Sequence, residues 1–228
     1  MHILSECLYT IKHDIEQQQF PGQQENMSNS KRTSARSAAK QVAVLDAAAA
    51  VFAQYGFRRT TMNDIAQAAG ISRPALYLMF DNKEHLFHEL SAYRINLALQ
   101  ATEAVLAKSG NVTEQFIEAL MVFEKTYTEP VANSPHGEEL TDVNMNLAAD
   151  VMIKGHANLV AVLARLLTEA EKSDAVSFDN VSMTAKAFVE LLLASIKGIK
   201  KKATSVSEYR NHTRQAAQIF LSSITQAP

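Results

Sequence analysis

A chain of 228 residues with 47% hydrophobic residues has room for a small domain and a larger helical one, and its few glycines (7) and prolines (5) favour an all-α fold. A single cysteine, Cys7, excludes an intramolecular disulfide, and the lack of a long apolar run argues against a signal peptide or a membrane span. We therefore expect a cytoplasmic protein without membrane contact. Its net charge of -2 is informative only when the charges are counted separately for each part of the chain.

Residues 1–37 are expected to form a disordered or weakly ordered extension that ends in a basic arm. Glutamines with Pro21 and Gly22 indicate a polar linker, and residues 28–40 are rich in Ser, Ala and basic side chains. Two roles stay open for the arm, a contact in the minor groove of DNA and a solvated tail. Met27 and the residues after it look like a natural beginning, so translation from Met27 is a hypothesis that intact mass would test.

A first helix is predicted from Ala38 to Gln54. Apolar residues recur on one face of it, and Gly56 is suited to stop it. The members of this face are Val42, Leu45, Ala49, Phe52 and Tyr55.

Two short helices separated by about three residues follow. Thr61 with Asp64 three residues later predicts a capping box, so the second helix starts near Met62. Gly70 readily takes the left-handed conformation that ends a helix, and Ser72 is suited to cap a third helix with Pro74 in its first turn. This spacing is typical of a helix-turn-helix. An ordinary helical hairpin with glycine in its turn is the alternative.

A long fourth helix is predicted from Asn82 to Lys108. Asp81 and Glu84 have the spacing of another capping box. The amides at this helix start, together with Lys83, are suited to bind a DNA phosphate.

These residues resemble the DNA-binding domain of the TetR family of one-component bacterial transcriptional regulators, over about residues 40–90. The matching positions are residues 51–57, 60–66, 70–72, Leu76, Tyr77, Phe80, Lys83, Glu84, Leu86 and Phe87. Met79 and the pair Pro74-Ala75 differ from residues frequent at those places, so the resemblance does not extend to the operator sequence.

The DNA-binding domain is assigned to residues 38–86. Residues 27–90 carry eight Lys or Arg against five acids, whereas residues 91–228 carry 13 against 15, so positive charge lies where phosphates would be met. Arg73 and Tyr77 are predicted to reach the groove of the DNA. The remaining predicted residues would contact the phosphates or support the helix. The predicted DNA contacts are Arg59, Thr61, Ser72, Arg73, Pro74, Tyr77 and Lys83.

Residues 87–228 are assigned to a helical effector-binding and dimerisation domain. A helix after Gly110 is predicted to end before Pro130, helical pattern resumes near Glu138 with Gly155 as a break, and two helices close the chain at 180–200 and 207–225. The resemblance implies that the last two helices pair two protomers into a four-helix bundle; an intramolecular core is the alternative. Predicted interface residues are Phe188, Leu192, Ser195, Ile199, Ala216, Ile219 and Phe220.

The resemblance also implies a pocket for a small molecule in this domain. Aromatic, methionine and histidine side chains are the candidates for its lining, with plain core packing as the alternative for each. The predicted lining residues are Phe116, Phe123, Tyr127, Met145, Met152 and His156.

Neither a metal centre nor a catalytic site is predicted. His85 and His88 lack the HExxH spacing, and His136 with its neighbouring acids fits a helix start better than a hydrolase. The sequence thus predicts a homodimeric regulator, not an enzyme and without a cofactor, that represses transcription from a near-palindromic double-stranded DNA operator until a small-molecule effector binds. A DNA-binding regulator without an effector is the alternative.

Overall fold

The computed structural model describes residues 26–132 and 134–225, and within these ranges the chain forms nine α-helices and no strand. The helices are α1 (Asn26–Tyr55), α2 (Met62–Ala68), α3 (Arg73–Tyr77), α4 (Lys83–Leu106), α5 (Val112–Ala132), α6 (Gly137–Leu147), α7 (Ala149–Lys172), α8 (Ala185–Lys202) and α9 (Val206–Ser222). The predicted all-α fold, with a helix-turn-helix followed by a helical region, is confirmed.

The helix α1 begins well before the predicted start at Ala38. Alanine, lysine and arginine between residues 26 and 40 are good helix formers, and the polar character of this stretch had suggested an arm instead. The predicted weak order of residues 1–25 lies outside the described residues. The chain divides into two compact units between Val42 and Ala43, and every tertiary contact below lies within the second.

A first hydrophobic core joins the C-terminal half of α1 to α2, α3 and the start of α4. Phe52, Phe57 and Phe87 form its aromatic centre, with ring centroids 5.2 to 5.5 Å apart. Leu140 of α6 is 5% exposed and belongs to the same core, although it lies far along the sequence. The helix-turn-helix is therefore packed on one side against the following helical region.

A second core is built from α4, α5 and the helices from α7 onward. The helix α7 is long and apolar enough to cross a membrane by composition alone. Its buried residues, among them Leu159, Leu163 and Leu167, lie in this core, so here α7 serves as a core helix.

The predicted break at Gly155 is wrong, because α7 runs through this residue and the chain bends at Ala148. Gly155 is buried where α7 crosses α4, and a β-carbon there would lie 2.7 Å from Cγ2 of Ile95. The glycine serves close packing of two helices and not a turn.

The helix α5 continues past Pro130, which we had predicted to follow its end. Proline has no amide to donate to the carbonyl four residues earlier. That carbonyl, of Thr126, accepts a hydrogen bond from Nη2 of Arg94 at 3.1 Å instead. A long-range contact thus compensates the bond that the proline removes.

Candidate DNA-binding surface and effector site

The turn between α2 and α3 is fixed by local hydrogen bonds. The Asp64 amide donates to the Thr61 hydroxyl at 3.3 Å and the Thr61 amide donates to the Asp64 carboxylate at 2.8 Å, which confirms the capping box. Gly70 has φ of +64°, and the Ser72 side chain accepts a hydrogen bond from the Ala75 amide at 3.3 Å. The predicted turn and caps are confirmed.

Buried side chains hold α3 in place behind its exposed side. Ile65, Leu76 and Phe80 are fully buried, and Ala66 is 2% exposed. Leu76 of α3 and Phe80 just after α3 are buried in the same core as Ile65 of α2. The orientation of α3 therefore does not depend on its residues that face solvent.

The outer face of α3 consists of five exposed residues: Ser72, Arg73, Pro74, Tyr77 and Leu78. Arg73 and Tyr77 are four residues apart, and Cζ of Arg73 lies 6.0 Å from the Tyr77 ring centroid. Pro74 and Leu78 form a second pair with the same spacing, and Leu78 is 88% exposed. This face offers hydrogen-bond donors, an aromatic ring and an apolar ridge to a groove of DNA.

Two predicted hydroxyl contacts differ in their availability. The Thr61 hydroxyl already donates to the Asp64 carboxylate at 2.8 Å, and these bonds hold the pKa of Asp64 below its ordinary value. The Ser72 hydroxyl accepts from the Ala75 amide, and its own proton has no acceptor among the described residues. Ser72 is therefore the better phosphate donor, while Thr61 and Arg59 lie exposed before α2.

Lys83, predicted as a phosphate contact, is used inside the molecule in this structure. Its ammonium donates to the carbonyls of Phe57 at 2.8 Å and Thr60 at 2.9 Å. It also lies 4.4 Å from the Phe57 ring centroid. Two of its three protons are thus donated to the loop between α1 and α2, and the phosphate contact stays a prediction for the third.

The predicted capping box of Asp81 and Glu84 is wrong, because α4 is capped by Asn82. Its Oδ1 accepts a hydrogen bond from the His85 amide at 2.7 Å. The Asp81 amide donates to Nδ1 of His85 at 3.2 Å, whereas Nε2 of His88 lies 3.1 Å from Asp150 on α7. The two histidines therefore make separate contacts.

The helix α6 and the turn before it contact the end of α1. The Ser134 hydroxyl donates to the Ala53 carbonyl at 2.6 Å, and the Arg58 amide donates to the Glu139 carboxylate at 2.8 Å. Gly56, at φ of +80°, ends α1 as predicted, and a β-carbon there would collide with the Glu139 carboxylate. A movement of α6 would therefore displace the end of α1 and the loop that leads into the helix-turn-helix.

The six predicted pocket residues differ in their burial. Phe116 is fully buried in the second core, and Met145 is 59% exposed. Burial lowers the pKa of His156, whose charged neighbours Lys197 and Glu190 lie on α8. The assignment of these three residues to a pocket stays a prediction.

Tyr127 and Met152 do meet, in a polar cluster that joins four helices. The Tyr127 hydroxyl lies 2.8 Å from the Met152 sulfur and accepts a hydrogen bond from the Asn144 amide group at 2.6 Å, while the Ser91 hydroxyl donates to Asn144 Oδ1 at 2.7 Å. Burial raises the pKa of Tyr127. Phe123 stacks on the Tyr127 ring at 6.1 Å between centroids.

Arg94 completes this cluster, and the sequence reasoning missed it. Burial lowers the pKa of its guanidinium, which the carboxylate of Asp46 on α1 counteracts. Its Nε is buried and has no partner among the described residues. The sequence signal for Arg94 was that it is the one Lys or Arg of α4 after the first residue of the helix, Lys83. Ser91 and Asn144 carried no signal, because their roles depend on helices that are distant along the chain.

The predicted dimer residues also divide into two groups. Phe188 and Leu192 are 1% and 0% exposed in the second core, which corrects their assignment to a surface. Ser195, Ile199, Ala216 and Phe220 are half-buried. Ile219 is 69% exposed, and Leu191, one turn before Ser195, is 49% exposed. Exposed large apolar side chains are therefore present on α8 and α9, and they include the predicted Ile219 and one residue that was not predicted, Leu191.

The fold and the α3 surface define a helix-turn-helix protein of the DNA-binding class. Residues 44–90 match the family of bacterial regulatory proteins of the tetR type. This match is confined to the end of α1, the helix-turn-helix and the start of α4, and it is in this region that the chain is similar to the TetR family.

Proteins similar to this chain include one from Escherichia coli K12 named "Probable acrEF/envCD operon repressor", 45% identical over 60 residues. The match spans 26% of this chain and about a quarter of the relative's length, 27%. The regulator YhgD of Bacillus subtilis 168 is 24% identical over 156 residues, which cover 67% of this chain and 80% of YhgD.

The fold is shared with SmeT, described as the repressor of the Stenotrophomonas maltophilia multidrug efflux pump SmeDEF. The TM-score is 0.59 at 18% identity, covering 82% of this chain and 90% of SmeT. A complex of SmeT with triclosan matches with a TM-score of 0.58 at 18% identity, over 82% of this chain and 92% of that one.

Proposed function

We propose that the protein is a homodimeric transcriptional repressor of the cytoplasm that binds a near-palindromic operator and leaves it when a small molecule binds. The outer face of α3 carries this proposal, because it presents Arg73 and Tyr77 on a helix whose orientation is fixed from behind. Two of the proteins that are similar to this chain are named as repressors, which supports the repressor part of the proposal. The division into residues 38–86 for DNA and 87–228 for effector and dimer stays a prediction.

The exposed apolar surface of α8 and α9 supports a dimer. Leu191 and Ile219 are large apolar side chains in solvent, and at Gly198 a β-carbon would meet nothing within 4 Å in the protomer. Such a surface with a small residue allows helices of a second copy to approach closely. Two α3 helices about one DNA turn, roughly 34 Å, apart would then read the two half-sites.

The polar cluster around Tyr127 and Arg94 is the proposed effector site. Its groups connect α4, α5, α6 and α7, and α6 in turn contacts the helix-turn-helix through Glu139. Arg94 offers donors, so an effector with an acceptor group such as a carboxylate is favoured. A ligand that separates these helices would shift the equilibrium between the DNA-binding and the released conformation. The free energy of this shift equals the difference between the ligand's binding free energies for the two conformations.

Selection of genomic fragments by the purified protein, followed by titration in a mobility-shift assay, tests the DNA-binding part. We expect a fragment with an inverted repeat to bind at least about 10³-fold more tightly than random DNA of the same length. Equal affinity for all fragments would contradict a specific regulator.

A search for compounds that raise the Tm tests the effector part. A true effector raises the Tm and also weakens operator binding, and Arg94→Leu should abolish both effects. Arg165→Leu is the matched control, since Arg165 lies exposed on α7. Operator affinity that stays constant with every bound compound would favour a regulator without an effector.

A further inference from the structure

Leu78 is the most exposed large apolar residue among those described, at 88%, and it lies at the C-terminal end of α3. The residues two positions before and two positions after it, Leu76 and Phe80, are by contrast fully buried. The backbone at Leu78 is thereby held, and its side chain has one direction available, outward. The next residue, Met79, is half-buried against the first core and does not share this exposure.

A single exposed leucine is common on protein surfaces and indicates nothing by itself. Leu78, however, follows Pro74 by four residues, so the two lie on the same side of α3. Arg73 and Tyr77 flank this apolar ridge with a paired guanidinium and ring. The ridge is therefore part of the outer face of α3, the face that we propose to bind DNA.

The major groove presents mostly hydrogen-bonding groups, and its one apolar group is the 5-methyl of thymine. An apolar side chain gains nothing from the donors and acceptors of the other base edges. We infer that Leu78, supported by Pro74, contacts a thymine methyl group in each half-site and so helps to determine the operator sequence. This inference rests on the proposed function.

Replacement of single thymines by uracil in the selected operator tests the inference, since uracil lacks the methyl group and keeps the hydrogen-bonding edges of thymine. Removal of one contacted methyl is expected to weaken binding about fourfold, and replacement in both half-sites about 15-fold, from the usual value of a buried methylene. In Leu78→Ala, the same replacements should have no effect at that position.

Ile153→Ala is the matched control, because Ile153 is 72% exposed on α7 and loses a similar apolar surface. It should respond to uracil like the unchanged protein. Both variants should keep the unchanged protein's Tm within about 1 °C, since exposed positions contribute little to stability.

Three outcomes would overturn the inference. If no thymine is sensitive to replacement, or if Leu78→Ala remains as sensitive as the unchanged protein, Leu78 does not read a methyl, although the proposed function stands. If the unchanged protein selects no DNA at all, the proposed function fails and this inference fails with it.

Discussion

Lys83 links the start of α4 to the loop that follows α1. Its ammonium donates to two backbone carbonyls and lies over the Phe57 ring, which is itself part of the aromatic centre of the first core. A cation in this position connects three segments of the helix-turn-helix domain. Its effect on DNA binding therefore includes the geometry of the domain.

We expect Lys83→Ala to lower the free energy of unfolding by about 2 kcal/mol, from the loss of charge-assisted hydrogen bonds and a cation–π contact at a half-buried site. This corresponds to a Tm about 5 °C lower, measurable by circular dichroism. Lys154→Ala, at an exposed position of α7, should leave the Tm unchanged. A loss of DNA affinity in Lys83→Ala without any change in Tm would return Lys83 to the role of a phosphate contact.

Arg73 lies on the exposed face and has no such structural task. Arg73→Ala should weaken binding to the selected operator by about 10-fold or more, the usual value of a bidentate base contact, and weaken binding to random DNA much less. Fluorescence anisotropy with both DNAs at two salt concentrations measures the difference. Equal losses on both would place Arg73 on a phosphate.

The local signals of α2 and α3 were sufficient for prediction, since a capping box and a glycine turn act within three or four residues. Residue spacing gave no sign of the carbonyls that Lys83 contacts, because they are distant in sequence. Asp81 was misjudged because Asn82, one position later, caps the helix instead. Similarly, Arg94 acquires its role from a carbonyl on another helix. Contacts between elements are what residue spacing leaves undetermined.

At the scale of elements, the crossing of α4 and α7 depends on one missing side chain. Gly155 lets α7 approach so closely that Cγ2 and Cδ1 of Ile95 occupy the space of a β-carbon. Met152, which contacts Tyr127 of α5 and Asn144 of α6, lies on α7 three residues before Gly155. Helix crossing and the proposed effector site are therefore coupled.

Gly155→Ala should lower the free energy of unfolding by about 1 kcal/mol, because overpacking costs more than the gain in helix propensity. Gly198→Ala makes the same change at a helical position that is open in the protomer, and it should be neutral or stabilising in a protein kept monomeric by Ile219→Lys. Urea unfolding of both variants, followed by circular dichroism, gives the comparison. Equal stabilisation of the two would mean that α4 and α7 separate at little cost.

The predicted helices were mostly correct in number and wrong at points where tertiary structure overrides local preference. Proline at position 130 and glycine at position 155 both indicated interruptions, and both lie inside helices. In each case another helix compensates, through Arg94 in the first and through Ile95 in the second.

At the scale of the whole molecule, the candidate dimer surface is the remaining face to be tested. Apolar residues on α8 and α9 divide between the core and the solvent, and a sequence pattern alone could not assign Phe188 inward and Ile219 outward. The exposed ones define the surface that a second copy would cover.

Ile219→Lys should convert the dimer into a monomer, because it places a charge at the proposed interface. Met145→Lys, at a 59% exposed site on α6, is the control and should remain a dimer. Sedimentation equilibrium at several concentrations distinguishes the two. A dimer that persists in Ile219→Lys would place the interface elsewhere.

The helix α6 has no side-chain cap at its N-terminus, and Ala148 ends it without one. It bonds to Ser91 through Asn144 and to Arg58 through Glu139, and Leu140 is its one residue buried in the first core. A helix without side-chain caps and with few buried residues opens locally at a lower free-energy cost than unfolding of the whole protein. The backbone amides of α6 should exchange with deuterium long before those of α4. If operator DNA slows this exchange, the change in rate measures how strongly DNA binding stabilises the folded form of α6.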